Sequence, residues 1–226
     1  MNRSRTLPVA AVSMAAAAAL LLTACGGGGE EDSGKDKIAG ADDGAAKKSA
    51  SPSAGKSEVP VTDRPKMPLP KDVSLVFDDV DMSDPDQAAA ASDAHNFARA
   101  IRYGIVKQNM NDPAYKFYSE LKSPAQAYAK DQIKQRVDKG LTISGEMRFS
   151  RTKVTPAENK KTSVVSFCSN STKLYSKEVK TKKVHHTEPS INDYYSWQVL
   201  MTPSKNAKGL WRAQKVQVQD KAEECR

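Results

Sequence analysis

The chain carries three histidines, the side chains best suited to move a proton near neutral pH. His95 follows Asp93 by two residues inside a segment with helical spacing, and a buried imidazole near a carboxylate can act as a general base. The simpler expectation is a surface or boundary histidine. His185 and His186 stand in a polar stretch before Pro189. Neighbouring residues of a strand point to opposite faces and no carboxylate lies at ligand spacing, so the pair reads as loop histidines and not as a metal site. Asp78, Asp79, Asp81, Asp84 and Asp86 match a calcium loop in density only. The central glycine and terminal glutamate of an EF-hand are missing, and turn formation and helix starts account for these acids. The sequence has no glycine-rich phosphate loop, no Gly-x-Ser-x-Gly elbow and no His-Glu-x-x-His. No residue is therefore assigned to catalysis, a cofactor or a metal ion, and the absence of a convergent set favours binding over chemistry.

The elements that would position these residues fall into two halves. Ser83-Asp84-Pro85-Asp86 combines a cap, acids and an early proline, and predicts a helix running to about Lys107. Ala94, Phe97, Ile101 and Ile105 share its apolar face, with Arg99, Arg102 and Lys107 mostly off it. Asp112-Pro113 opens a second, short helix. Ser123-Pro124-Ala125-Gln126 opens a third with a capping-box pattern, ending near Gly140. Beyond Gly140 the period becomes two, in Leu141–Gly145, Met147–Val154, Thr162–Cys168, Trp197–Thr202 and Leu210–Val218. Pro156–Asn159, Ser169–Thr172 and Pro203–Gly209 read as turns between four to six antiparallel strands, with Leu174–Lys183 the least defined. Val73–Val80 reads as a short strand or a lead-in. Helices first and strands after predict an α+β domain with helices on one face of an antiparallel sheet. Phe97, Ile101, Trp197 and Val199 are candidates to line a pocket, and they fit the sheet's core equally well. Of Tyr194 and Tyr195, alternation turns one inward.

The formal charge is +8 and it is uneven. Residues 73–139 hold 9 basic and 10 acidic side chains, and residues 140–226 hold 16 and 8. Such a surface suits an anionic polymer or lipid. The lysines are scattered (Lys153, Lys160, Lys161, Lys173, Lys177, Lys180, Lys182, Lys183) as on the solvated side of a sheet.

Residues 1–24 read as an export signal: Arg3 and Arg5, then an apolar run from Leu7 to Leu22 that is short of a bilayer span. Its end, Leu22-Thr23-Ala24-Cys25, resembles the lipobox of bacterial lipoproteins. The resemblance implies cleavage before Cys25, diacylglycerol on its sulfur, and a chain held at the extracytoplasmic face of the cell membrane. Export makes nucleic acid an unsuitable partner and leaves an envelope protein, an anionic polymer or a small ligand. With Cys25 lipidated, Cys168 and Cys225 remain as a pair outside the reducing cytoplasm, and a disulfide is the default expectation. Residues 25–72, rich in Gly, Ser and Pro and nearly free of large apolar residues before Val59, read as a disordered tether ahead of a domain at 73–226.

Three helices followed by a strand meander resemble the nuclear-transport-factor-2-like cone fold, as found in actinobacterial lipoproteins. The residues that carry this are Phe97–Ile105, Leu121–Gln126, Val164–Cys168, Trp197-Gln-Val199 and Leu210–Ala213. The resemblance implies a curved sheet closing on its helices around a conical pocket. It also implies a strand cysteine paired with one near the C-terminus, which Cys168 and Cys225 suit. Members bind ligands or proteins, or act as isomerases and dehydratases. A non-catalytic binding or interaction module is the first expectation, a small-molecule carrier or sensor the second and an enzyme the third.

Overall fold

The computed structural model describes residues 63–158 and 161–226. The signal segment, Cys25 and most of the tether lie outside the described residues. The elements run β1 (Val73–Phe77), α1 (Pro85–Val106), α2 (Pro113–Phe117), α3 (Pro124–Asp138), β2 (Leu141–Pro156), β3 (Ser163–Glu178), β4 (Val184–His185), β5 (Tyr194–Pro203) and β6 (Trp211–Asp220). They form a six-stranded sheet in the order β1-β2-β3-β5-β6, with β4 paired to β3. The helices pack on this sheet, so the α+β class read from the sequence holds.

The helix starts obey their caps. Asp84 Oδ1 accepts from the backbone N–H groups of Asp86 and Gln87 at 2.9 and 3.0 Å, and Pro85 takes the first helical position. Asp112 caps α2 through Ala114 N–H. Ser123 Oγ accepts from Gln126 N–H at 3.1 Å, while Gln126 Oε1 reaches one residue beyond the usual capping box, to Lys122 N–H. Gly104 lets α1 and α3 touch: a Cβ there would lie 2.4 Å from Ile133 Cδ1.

The sheet is mixed and not wholly antiparallel. β1 pairs with β2 in parallel, Val73 opposite Gly145 and Phe77 opposite Phe149. The chain leaves β1, passes through all three helices and returns as β2, a crossover that delivers parallel strands. The other pairings between the named strands are antiparallel. Register shifts at Glu146/Arg148, Ser150/Lys153 and Leu200/Met201 bend and twist the strands, giving the sheet its curvature. At Gly145 (φ +102°) an added Cβ would meet the Lys173 carbonyl oxygen at 2.0 Å, so only glycine fits this close approach of β2 to β3.

The expected turn at Ser169–Thr172 is instead continuous strand. β3 runs 16 residues without a break because both neighbours supply partners: Ser169 lies opposite Phe149 and Tyr195, and Asn170 opposite Arg148 and Tyr194. Leu174–Glu178 completes β3, and the chain then turns back through Lys180–Lys183 into β4.

The core lies between the helices and the inner face of the sheet. Phe97, Ile101, Phe149, Val199 and Met201 are wholly buried there. Met67 and Leu69, ahead of β1, pack against the same core. On the opposite face Cys168 and Cys225 form a disulfide with Cα atoms 5.3 Å apart. Ala222 and Tyr194 pack around it. Among the described residues no helix is long and apolar enough to cross a membrane.

Candidate functional site

The two ionisable residues that the sequence placed side by side do not converge. Asp93 is fully buried on α1. Its Oδ2 accepts from Trp211 N–H at 2.8 Å and its Oδ1 pairs with Arg64 at 2.5 Å. Arg64 also donates to the Gly209 carbonyl, so this carboxylate fastens residues 63–70 and the start of β6 to α1. Burial raises the Asp93 pKa, with the Trp211 bond and then the Arg64 charge pulling the other way.

His95 points elsewhere, toward β2. Its Nε2 is 2.8 Å from Thr152 Oγ1, and its ring packs against Phe77 (4.8 Å between centroids) and edge-on against Phe167 (5.3 Å). Burial lowers the pKa to about 4; Arg99 lowers it further and Asp78 opposes. The imidazole is neutral at pH 7, and a base this weak is poorly matched to proton abstraction there. It borders a surface cleft of about 330 Å³ shared with Asp78, Asp79, Ser92, Asn96 and Arg99. Arg99 lies over the Phe77 ring at 5.0 Å.

The same shift fixes a pH dependence. An ordinary histidine titrates near 6.5. Above that pH neither the folded nor the unfolded chain protonates here, so the group is without effect. As pH falls from about 6.5 toward 4, the unfolded chain takes the proton that the folded chain refuses. Stability should fall across this window by roughly 3 kcal/mol, with no further loss from this group below it. Urea unfolding at pH 7 and pH 4.5 checks this: the loss should shrink in His95→Gln, and an equal loss in both chains would assign it to other groups.

The inner face of the sheet holds a second constellation. Trp197 stacks on Phe167 (5.5 Å, 16°) and donates from Nε1 to the buried Ser169 Oγ at 3.0 Å. Tyr128 of α3 meets Trp197 edge-on at 6.3 Å. Over this aromatic floor lies the guanidinium of Arg102, 5.1 Å from the Trp197 centroid and 5.9 Å from that of Phe149. Arg102 was expected off the apolar face of α1. It turns inward because α1 touches α3 and four of the strands and is buried around most of its circumference. Burial lowers its pKa; Tyr128 and Tyr195 oppose the shift and Arg136 adds to it. Its electrostatic neighbours among the described residues are thus a second cation and two phenols, with no carboxylate. Cation–π contact returns about 0.5–2 kcal/mol, against several for taking a charge out of water. Arg136 itself donates to Ser176 Oγ at 2.7 Å.

Phe97, Ile101, Trp197 and Val199, the sequence candidates for a pocket lining, all belong to the buried core. Trp197 alone of the four touches the Arg102 cation. Of the tyrosine pair, Tyr195 faces the main core and Tyr194 the disulfide. His185 Nε2 lies 2.9 Å from Glu178 Oε1, and the His186 ring packs on Tyr175. Among the described residues no group of three His, Cys, Asp or Glu side chains is placed to hold a metal ion. Sequence reasoning missed Arg102 and Asp93. A cation one residue from the apolar Ile101, in a helix rich in alanine, was the available signal for the first. The second offered none, since its partner Arg64 lies in the stretch that the sequence reads as tether and that the structure packs against the domain.

No family profile matches the chain, and no curated protein matches it at a significant level. Among solved structures, a ketosteroid isomerase-like protein from Erwinia carotovora atroseptica is similar at 12% identity and a TM-score of 0.40, over 60% of this chain and 95% of that one. A protein of Catenulispora acidiphila matches at 7% identity and a TM-score of 0.38, over 59% of this chain and 93% of that one. The intermembrane space region of the chloroplast protein ARC6 matches at 12% identity and a TM-score of 0.33, over 57% of this chain and 96% of that one.

Proposed function

We propose that the chain is a cell-envelope lipoprotein, anchored by lipid on Cys25 at the extracytoplasmic face of the membrane, that presents a non-catalytic binding domain. The observation that carries the non-catalytic reading is the division of labour along α1. Asp93 holds the Arg64 segment and the Trp211 backbone, and His95 is held neutral between Thr152 and two aromatic rings. Asp93 and His95 each have structural partners of their own and point away from each other. The anchor rests on the sequence: Arg3 and Arg5, the apolar run and Leu22-Thr23-Ala24-Cys25 act as one export-and-lipidation signal. A soluble-phase partner then meets the domain at the end of a tether.

Metabolic labelling with a tagged fatty acid tests the anchor. The wild-type chain takes up label and sediments with membranes, and Cys25→Ala falls to background labelling and leaves the membrane fraction. Label retained by Cys25→Ala would overturn the anchor. A carrier reading, in which the bound partner is a small molecule, is favoured by one specific feature, the cation of Arg102 facing aromatic rings without a counter-charge.

A further inference from the structure

From the inner face of the sheet we infer that Arg102 and Arg136, with the hydroxyls of Tyr128 and Tyr195, form a site for a small organic anion, its oxyanion headgroup (carboxylate or phosphate) against the two guanidinium groups. This rests on the binding reading above and names the ligand class.

Four observations converge. Arg102 reaches in from α1 over the rings of Phe149 and Trp197, and Arg136 reaches from the last turn of α3 to Ser176 of β3, so two cations from different helices face the sheet and feel each other's charge. Arg102 makes ring contacts with Phe149 and Trp197, and among the described residues no carboxylate pairs with it. Like charges brought together repel, and an anion between them removes that repulsion. The phenols of Tyr128 and Tyr195 belong to the same electrostatic neighbourhood, and a phenol O–H can donate to an oxyanion. Finally, all four side chains are only partly buried, whereas Trp197 and Phe149 beneath them are closed off. The four side chains thus lie at the edge of the closed aromatic pair, which suits an anion with a flat or apolar body.

The acids in the surroundings act on the tyrosines. Asp131 acts on Tyr128, and Asp193 and Asp220 act on Tyr195. Asp131 already accepts from Gln135, and Asp193 caps the 3-10 turn at Ile191 through Ser190 N–H. They lower the net charge of the site without supplying Arg102 with a partner.

The cost of the arrangement makes a distinctive prediction. A desolvated cation kept for packing alone is replaceable by an apolar side chain of similar length, often with a gain in stability. If the charge is kept for a ligand, the same replacement keeps or raises stability and removes binding. Arg102→Met should therefore unfold at the same or higher temperature as wild type and bind anions at least about tenfold more weakly. Arg136→Gln, in the last turn of α3, should weaken binding in the same direction. Lys215→Met, at an exposed site on β6, removes one positive charge and should leave binding unchanged.

The test uses the full chain in mild detergent, titrated with sodium benzoate, sodium acetate and inorganic phosphate at constant ionic strength. Tryptophan fluorescence is the readout, because Trp197 lies under Arg102. The expected result is a saturable change that is lost in Arg102→Met and weakened in Arg136→Gln. Benzoate tighter than acetate and phosphate assigns an aromatic carboxylate; phosphate tightest assigns a phosphate headgroup. No saturable change with any of the three in wild type, or equal affinity in wild type and Arg102→Met, overturns the site. Either failure leaves the lipid labelling of Cys25 untouched. Conversion of the added anion to a new species would retain the site and overturn the non-catalytic reading.

Discussion

Trp197→Ala should destabilise the domain by about 3–5 kcal/mol, the range for removing a large aromatic side chain from a packed interior. Trp197 is buried against Phe167, Tyr128 and the Arg102 guanidinium, so four elements lose contacts at one position. Its Nε1–H also satisfies the wholly buried Ser169 hydroxyl, and an unpaired buried hydroxyl costs a further 1 kcal/mol or so. The local consequence should be as plain as the global one. Ser169 is the point at which β3 continues where its sequence reads as a turn, and Trp197 with its strand neighbours is what holds it there. Equilibrium denaturation checks the magnitude, and amide exchange across Ser169–Thr172 checks the location. A loss below about 1 kcal/mol would mean that the aromatic floor is not a stability element.

Replacing Cys168 and Cys225 together by serine should cost a comparable amount. The bond joins residues 57 apart, and loop closure over that span removes about 4 kcal/mol of unfolded-state freedom. For a domain of this size that corresponds to a fall in Tm of roughly 8–16 °C. The C-terminal turn would feel it first. Arg151 donates to the backbone carbonyls of Glu224 and Arg226, and Ala222 and Tyr194 pack at the bridge, so the terminus is held mainly from this one corner. Thermal unfolding with and without a reductant that reaches the bond measures the effect. An unchanged Tm would show that the terminus docks without the covalent link.

Both results concern features of differing visibility in the sequence. The helix starts were legible to the residue because Asp84-Pro85, Asp112-Pro113 and Ser123-Pro124 act through local hydrogen bonds and fixed backbone angles. The change of period after Gly140 was legible because successive side chains of a strand point to opposite faces. The cysteine pairing followed from compartment and count and was met by the structure. Three things were not legible. The parallel docking of β1 depends on where the chain returns after three helices, which no local pattern records. The unbroken length of β3 depends on partners on both sides, which overrode the turn propensity of Ser-Asn-Ser-Thr. The inward course of Arg102 depends on α1 being enclosed on nearly all sides, whereas a helical wheel assumes one wet face.

The candidate site was the least legible part. Phe97, Ile101, Trp197 and Val199 were selected as apolar positions, and apolarity marks a core and a pocket floor alike. What separates the two is the charge placed over the floor, and that is a tertiary fact. The direction of His95 is a tertiary fact as well. Its proximity to Asp93 in sequence suggested a pair, yet the two leave α1 in different directions.

The central claim is that the domain holds a ligand without transforming it. Native mass spectrometry of the full chain, extracted from its own membranes in mild detergent, tests this most directly. The account predicts one anion per chain, released at unchanged mass after prolonged incubation and absent from Arg102→Met. A chain that comes out empty from ligand-rich membranes, or a bound species converted to product on incubation, would contradict it.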